Sequence, residues 1–227
     1  MDKKKKVNKI INFIDVGCSC SLPFPWNKNK NYKNIFYFMG FEPNKKFDNK
    51  KIKNIFSKSK IYQKGVFDIN EEKEIYICKK DHNSSLFEPN NKVLKEYMKT
   101  NKMNNRFEIK RKEKIKCVRL DTILNKSNIN FDFLKIDTQG ADYNVIKSLG
   151  KYLETQIIGI HTELFFKEMY KGIALFEKVN KFLNKHKFYI AKKVGKKNKF
   201  WRDFLYLRKD RDKKDKINLI KKIYNLK

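Results

Sequence analysis

Three short apolar runs each break off into an acidic, sharply turning sequence. Residues 10–17 end in Asp15-Val16-Gly17, residues 35–41 run into Glu42-Pro43-Asn44, and residues 131–136 run into Asp137-Thr138-Gln139-Gly140. Apolar runs of this length without strict alternation suit strands buried on both faces, as in parallel sheets covered by helices. Elsewhere the periodicity is helical, over 141–153 and over 175–187, where Phe176, Val179, Phe182 and Leu183 share one face. Strand and helix in alternation predict an α/β sheet with helices on both faces.

Further strands are expected over 61–68, 74–79 (in a hairpin) and 157–164. The stretches 188–193 and 204–207 are expected as an antiparallel pair turning at Trp201. Residues 106–120 alternate like a pair of extended segments, 91–99 read as a short helix, and Asp121 can cap a turn over 122–124. Pro23 and Pro25 exclude a regular helix directly after the first strand, so 19–26 is expected as an ordered loop. The chain therefore divides into a basic extension (1–9), one sheet domain (10–210) and a basic amphipathic helix (211–227) with Ile217, Ile220 and Ile223 or Tyr224 at helical spacing.

The 227 residues carry a formal charge of +30, which would ordinarily point to nucleic acid or an anionic membrane. The cations are overwhelmingly Lys, though, spread along the whole chain beside abundant Asn and Ile, as an AT-rich coding sequence produces. Basic residues are not interleaved with aromatics in the single-strand-binding manner, and nucleic acid is disfavoured as a partner. No apolar run approaches the ~18 residues of a membrane span. The basic start is followed by a short stretch broken by Asn8, Lys9 and Asn12, so no signal peptide is read and a cytoplasmic protein is expected. Cys18, Cys20, Cys78 and Cys117 and the distant His82, His161 and His186 lack metal-site spacing; free thiols and no metal are expected.

In open α/β sheets, ligands bind beyond the carboxyl ends of the strands, where the strand order reverses. Gly17 allows close backbone approach to a ligand. Glu42 can accept both hydroxyls of a ribose, and its distance from Gly17 is near the ~20 residues of a nucleoside-cofactor fold. Neither G-x-G-x-x-G nor a P-loop sequence is present, against NAD binding and nucleotide hydrolysis.

The ordered blocks Phe13-Ile14-Asp15-Val16-Gly17, Leu22-Pro23 with Trp26, and Gly40-Phe41-Glu42-Pro43 resemble the FkbM family of methyltransferases. So do Ser84-Ser85-Leu86-Phe87-Glu88-Pro89-Asn90, Leu120-Asp121-Thr122-Ile123-Leu124 and Asp132-Phe133-Leu134-Lys135-Ile136-Asp137-Thr138-Gln139-Gly140. Glu163-Leu164-Phe165, Met169-Tyr170-Lys171-Gly172 with Leu175-Phe176, and Phe204-Leu205-Tyr206-Leu207-Arg208 complete the set. The resemblance implies a Rossmann-like, seven-stranded, mostly parallel sheet that binds S-adenosylmethionine. It places Asp15 and Gly17 at the methionine and sulfonium end, Glu42 at the ribose, Asp68 near the adenine and Asp137 where acceptor and cofactor meet. Two departures stand out: Cys20-Ser21 where such relatives carry two glycines, and His161 where an acidic or apolar residue is usual.

A hydroxyl acceptor needs its proton taken, and His161, Glu163 and Asp137 are the candidate bases. Ser84 and Ser85 suit an acceptor-side loop or simple turn capping, and Tyr170-Lys171-Gly172 a lid or a helix-entry turn. The reading is an O-methyltransferase acting on a sugar hydroxyl of a surface glycan or glycolipid. The rivals are methylation of an anionic acceptor such as RNA, and a non-catalytic basic module that meets polyanion or membrane through its tail.

Overall fold

The computed structural model describes residues 11–18, 22–44, 50–101, 105–209 and 213–226. Its main sheet has seven strands: β1 (Ile11–Val16), β2 (Ile35–Phe41), β3 (Ser59–Tyr62), β7 (Phe133–Ile136), β8 (Gly159–Phe165), β9 (Phe188–Val194) and β10 (Trp201–Arg208). Their spatial order is β3-β2-β1-β7-β8-β10-β9, and only β10 runs against the rest. The order reverses between β1 and β7, the place where such sheets open a crevice at their carboxyl ends.

A smaller sheet, β4 (Gly65–Val66), β6 (Ile109–Val118) and β5 (Glu72–Cys78), stands beside that crevice. Residues 61–68, expected as one strand, divide into β3 and β4 of different sheets, while 106–120 form one long strand rather than two segments. Trp201 opens β10 instead of marking the turn.

The expected helix over 141–153 breaks after one and a half turns. It forms α4 (Asp142–Lys147) and α5 (Tyr152–Thr155), with Gly150 between them at φ +52°. A Cβ at Gly150 would lie 2.8 Å from the Asp121 carboxylate, so the position holds glycine for both conformation and space. Asp121 lies inside α3 (Leu120–Leu124) and pairs with Arg119 instead of capping. Helix α1 (Lys50–Ile55) had no counterpart in the sequence reading; it contributes a single buried residue, Ile52, too little for a periodic signal.

Alternation along the strands builds two cores. On one face Ile14, Leu134, Ile136 and Ile160 pack beneath α3, α4, α5 and α6 (Phe176–Lys185). On the other, Phe13, Phe38, Phe133 and Leu205 pack against Trp26, Ile52 and α7 (Lys214–Ile223). Helix α2 (Asn91–Asn101) joins Tyr170 and Phe200 in a third cluster beside the small sheet.

Helix α7 buries Ile217, Ile220, Ile223 and Tyr224, the side an interfacial helix would insert into lipid. Two of its basic residues are held as well, Lys216 lying 2.5 Å and Lys213 3.6 Å from the buried Asp132 carboxylate. The expected membrane contact through the tail is thus left without its apolar face. Among the described residues, no helix is long and apolar enough to cross a membrane.

Trp26 is fully buried and meets Phe13 at 5.0 Å and Phe133 at 5.1 Å between ring centroids. We expect Trp26→Ala to lose about 3–5 kcal/mol of unfolding free energy in a denaturant titration. A loss below about 1 kcal/mol would mean that the 22–34 segment is not part of the core.

Candidate active site at the β1–β7 switch point

The carboxyl ends of β1, β2 and β7 face the small sheet across a cavity of about 580 Å³. Gly17, Glu42 and Asp137 line it from the main sheet, and Val66, Ile75, Ile77 and Ile115 give it an apolar wall. That volume and mixture suit a small-molecule ligand.

Gly17 has φ +77°, and a Cβ there would lie 2.1 Å from the Asp137 carbonyl oxygen. The two loops touch backbone to backbone, which only glycine permits. Three hydrogen bonds fix the junction: the Gly17 amide donates to the Phe41 carbonyl (2.9 Å), the Asp137 amide to Val16 (3.0 Å) and the Lys135 ammonium to Gly17 (3.1 Å).

Lys135 was quoted in the sequence reading without a role. It points from the middle of β7 into the second core face, 3.1 Å from Asp15 Oδ1 and 3.7 Å from Asp137 Oδ2. Burial pulls its pKa down, but the Asp15 and Asp137 carboxylates outweigh that and hold it above the usual lysine value. Asp15 is 1% exposed, and burial raises its pKa against the pull of Lys135. Among the described residues, Lys135 is the one donor group that reaches the Asp15 carboxylate. Asp15 lies behind the cavity rather than in its lining. The missed signal was a lysine inside an apolar strand run, two residues before Asp137.

Glu42 accepts the Asn44 amide at 2.9 Å and turns its carboxylate to the cavity; burial raises its pKa. Asp137 lines the cavity and accepts the Gln139 side-chain amide at 3.0 Å. The same amide lies 3.2 Å from Glu163, so Gln139, at φ +53°, clamps the two carboxylates. Glu163 stands behind that clamp, outside the cavity lining. Its pKa is held well above the usual range by burial and by Asp137, Asp203 and Asp142.

Two other candidates are not brought to the cavity. Asp68 turns toward α4, where Lys147 (2.6 Å) and Asn144 (3.0 Å) donate to its carboxylate. Burial pushes its pKa up, but those donors prevail and lower it. His161 is buried under α7 with Nδ1 2.8 Å from the Tyr224 hydroxyl, and burial drops its pKa to about 4. So weak a base, enclosed in the core, is poorly placed to take a substrate proton.

Ser85 donates to the Gln139 carbonyl at 2.6 Å, and Ser84 accepts the Cys78 amide at 3.1 Å; both line the cavity. The Tyr170 hydroxyl lies 3.0 Å from both Gln139 Oε1 and the Asn83 carbonyl, which makes this segment a brace for the Gln139 turn. Asp142, also missed by the sequence reading, accepts from Thr138 (3.0 Å) and Thr162 (2.7 Å), and burial raises its pKa to about 6. Cys18, Cys78 and Cys117 are free, and no His/Cys/Asp/Glu cluster suited to a metal occurs among the described residues. Cys20-Ser21 lies outside the described residues.

A sheet ordered in this way, with an acid and a glycine at the switch point, defines the Rossmann-like fold of the methyltransferases. The sequence model of the methyltransferase FkbM domain matches residues 18–190, and the chain belongs to that family. No curated protein sequence matches it significantly. The crystal structure of methyltransferase FkbM from Methylobacillus flagellatus KT is similar at TM-score 0.51 and 9% identity, over 88% of this chain and 44% of that one. This chain thus spans less than half of that protein. Magnesium protoporphyrin IX methyltransferase (ChlM) from Synechocystis PCC 6803, with bound SAM, gives 0.45 and 8% identity over 89% of this chain and 72% of that one.

Replacing Lys135 by Met leaves Asp15 buried without its counter-ion, and we expect a loss of about 3–5 kcal/mol near neutral pH in denaturant unfolding. The Asp15 pKa is raised in the folded chain, so the native state takes up a proton that the unfolded state does not hold. Stability of the variant should therefore recover as pH falls toward the ordinary aspartate value of 3.8. A variant as stable as the parent at neutral pH would remove this ion pair from the account.

Proposed function

We propose that the chain is an S-adenosylmethionine-dependent O-methyltransferase acting on a hydroxyl, of a sugar in a surface glycan, a glycolipid or a related metabolite. The observation that carries the cofactor is the contact of Gly17 with the Asp137 loop, flanked in the cavity by Glu42. When bound, S-adenosylmethionine supplies a sulfonium methyl that is already electrophilic, so the protein's task is to orient the acceptor.

Glu42 accepts from the ribose hydroxyls at the end of β2, and the apolar wall of Val66, Ile77 and Ile115 receives the base. Gly17 would meet the methionine end, with Asp15 behind it held by Lys135. Asp137, facing the cavity and fixed by Gln139 and Lys135, accepts the acceptor's proton. Glu163 and His161, named as alternative bases from sequence, stand behind it.

The cavity wall bears Glu42, Asp81, Glu113 and Asp137 against Lys64, Lys110 and Arg111. Those four acids face three cations and the His82 imidazole, so the charges nearly balance, and Arg111 is paired with Glu113 at 2.6 Å. An anionic acceptor such as RNA finds no excess of cations where the chemistry occurs, despite the charge of the whole chain. The sugar acceptor rests on the family resemblance, since fold alone does not choose a substrate.

Calorimetry with S-adenosylmethionine tests the cofactor: we expect binding by the parent chain and at least a tenfold weaker affinity, about 1.4 kcal/mol, for Glu42→Ala. Incubation with labelled cofactor and a cell-surface carbohydrate extract should label a glycan, and the same variant should lose that labelling. Equal affinity in both proteins would sink the assignment of Glu42, and label found only on nucleic acid would overturn the acceptor class.

A further inference from the structure

A chain of hydrogen bonds runs inward from the C-terminal helix toward the acids behind the site. The Trp26 indole Nε1 lies 3.2 Å from the Tyr224 hydroxyl, and that hydroxyl lies 2.8 Å from His161 Nδ1. On the far side of the imidazole, Nε2 is 3.8 Å from Asp203 Oδ1. Trp26, His161 and Tyr224 are all buried.

The chemistry of the three groups sets the direction of this chain. An indole nitrogen only donates, so the Tyr224 oxygen accepts from Trp26. The hydroxyl proton then needs an acceptor, and His161 Nδ1 is the one available to it among the described residues. The reverse arrangement, with Nδ1–H donating, would leave a buried hydroxyl proton without a partner, which folded proteins avoid. Nδ1 must therefore be unprotonated, and the single ring proton sits on Nε2, facing Asp203.

Strand pairing carries this arrangement to the active site. His161 is opposite Lys135 on β7, and Asp203 is opposite Glu163 on β8. Glu163 is linked to Asp137 through the Gln139 amide. The geometry points to Tyr224 as a positioning residue: its hydroxyl fixes His161 as the neutral Nε2–H tautomer, with that N–H turned toward Asp203, the register partner of Glu163 behind Asp137. The terminal helix thus reaches the site through one hydroxyl group.

Groups facing this chain come from every element around it. Lys135 and Asp137 act on His161; Asp137, Asp142 and Lys135 act on Asp203; and Asp203 acts in turn on Tyr224 and Glu163. Burial, then Asp137 and Asp142, raise the Asp203 pKa to about 7. The native state therefore binds a proton that the unfolded aspartate releases above 3.8, and this carboxyl's contribution to stability falls as pH rises through about 7.

Histidine nitrogen spectra of the full chain, labelled with 15N and assigned with a His161→Gln control, test the proposal without any cofactor. We expect His161 in the parent to carry its proton on Nε2 and to stay neutral down to about pH 5. Tyr224→Phe keeps the ring and removes the hydroxyl. Its His161 should show mixed tautomers, while the burial that lowers its pKa stays in place. Tyr224→Met, which also removes the hydroxyl, should mix the tautomers too and serves if the first variant does not fold. A proton on Nδ1 in the parent, or an unchanged tautomer in a folded variant, overturns the proposal.

The consequence for transfer rests on the methyltransferase reading. There Tyr224→Phe should lower kcat by about tenfold to a hundredfold and shift the acid limb of the pH profile, with the KM for S-adenosylmethionine unchanged. A changed tautomer with parental kcat and pH profile would refute the positioning role. Absence of transfer by the parent chain would count against the proposed function while leaving the spectroscopic result to stand.

Discussion

The ion pair of Lys135 with Asp15 is the interaction around which the site is arranged. It joins β1 and β7 at the point where strand order reverses, and the same ammonium holds the Gly17 carbonyl and faces Asp137. A lysine this deep costs desolvation that one carboxylate would repay poorly. Two acids and a carbonyl repay it together, and the result is a rigid junction on which Gly17 can touch the Asp137 loop. Charge is concentrated behind the cavity so that the backbone in front of it cannot shift.

That arrangement explains which parts of the site could be read from sequence. Asp15, Gly17, Glu42 and Asp137 end their strands, and a strand end is visible as an apolar run breaking into a polar turn. Lys135 and Asp203 lie within strands, and Asp142 begins a helix; their roles depend on register and on which face meets which helix. No local pattern contains that information. Asp68 shows the converse: it follows a strand as a ligand-binding acid would, yet Asn144 and Lys147, more than seventy residues on, take its carboxylate.

The main sheet was legible because its buried strands are apolar over several residues and its helices carry one clear stripe. The small sheet was not separable from it. Strand β6 spans Ile109–Val118 with charged residues over most of its length, and nothing in its alternation says which sheet it joins. The terminal helix was visible as a helix, but its destination was not, because an amphipathic stripe with lysines beside it reads alike for a lipid surface and for a sheet face. Buried Asp132, placed at the start of β7, receives Lys213 and Lys216 and so decides where the stripe is laid down.

The high charge of the chain then takes on a particular meaning. Some lysines pair across the fold, with Asp15, Asp68, Asp132 and Glu96, and each of these pairs joins separate elements. Charges lining the cavity nearly balance, so the lysine excess of the chain is not concentrated where a ligand would be bound. Net charge governs encounter, whereas affinity and orientation at a buried site follow from the few groups that line it. For this fold those groups include the acids Glu42 and Asp137 at two strand ends and Gly17 between them. The same chain can therefore carry +30 and still present a cavity with no excess of cations at its strand ends.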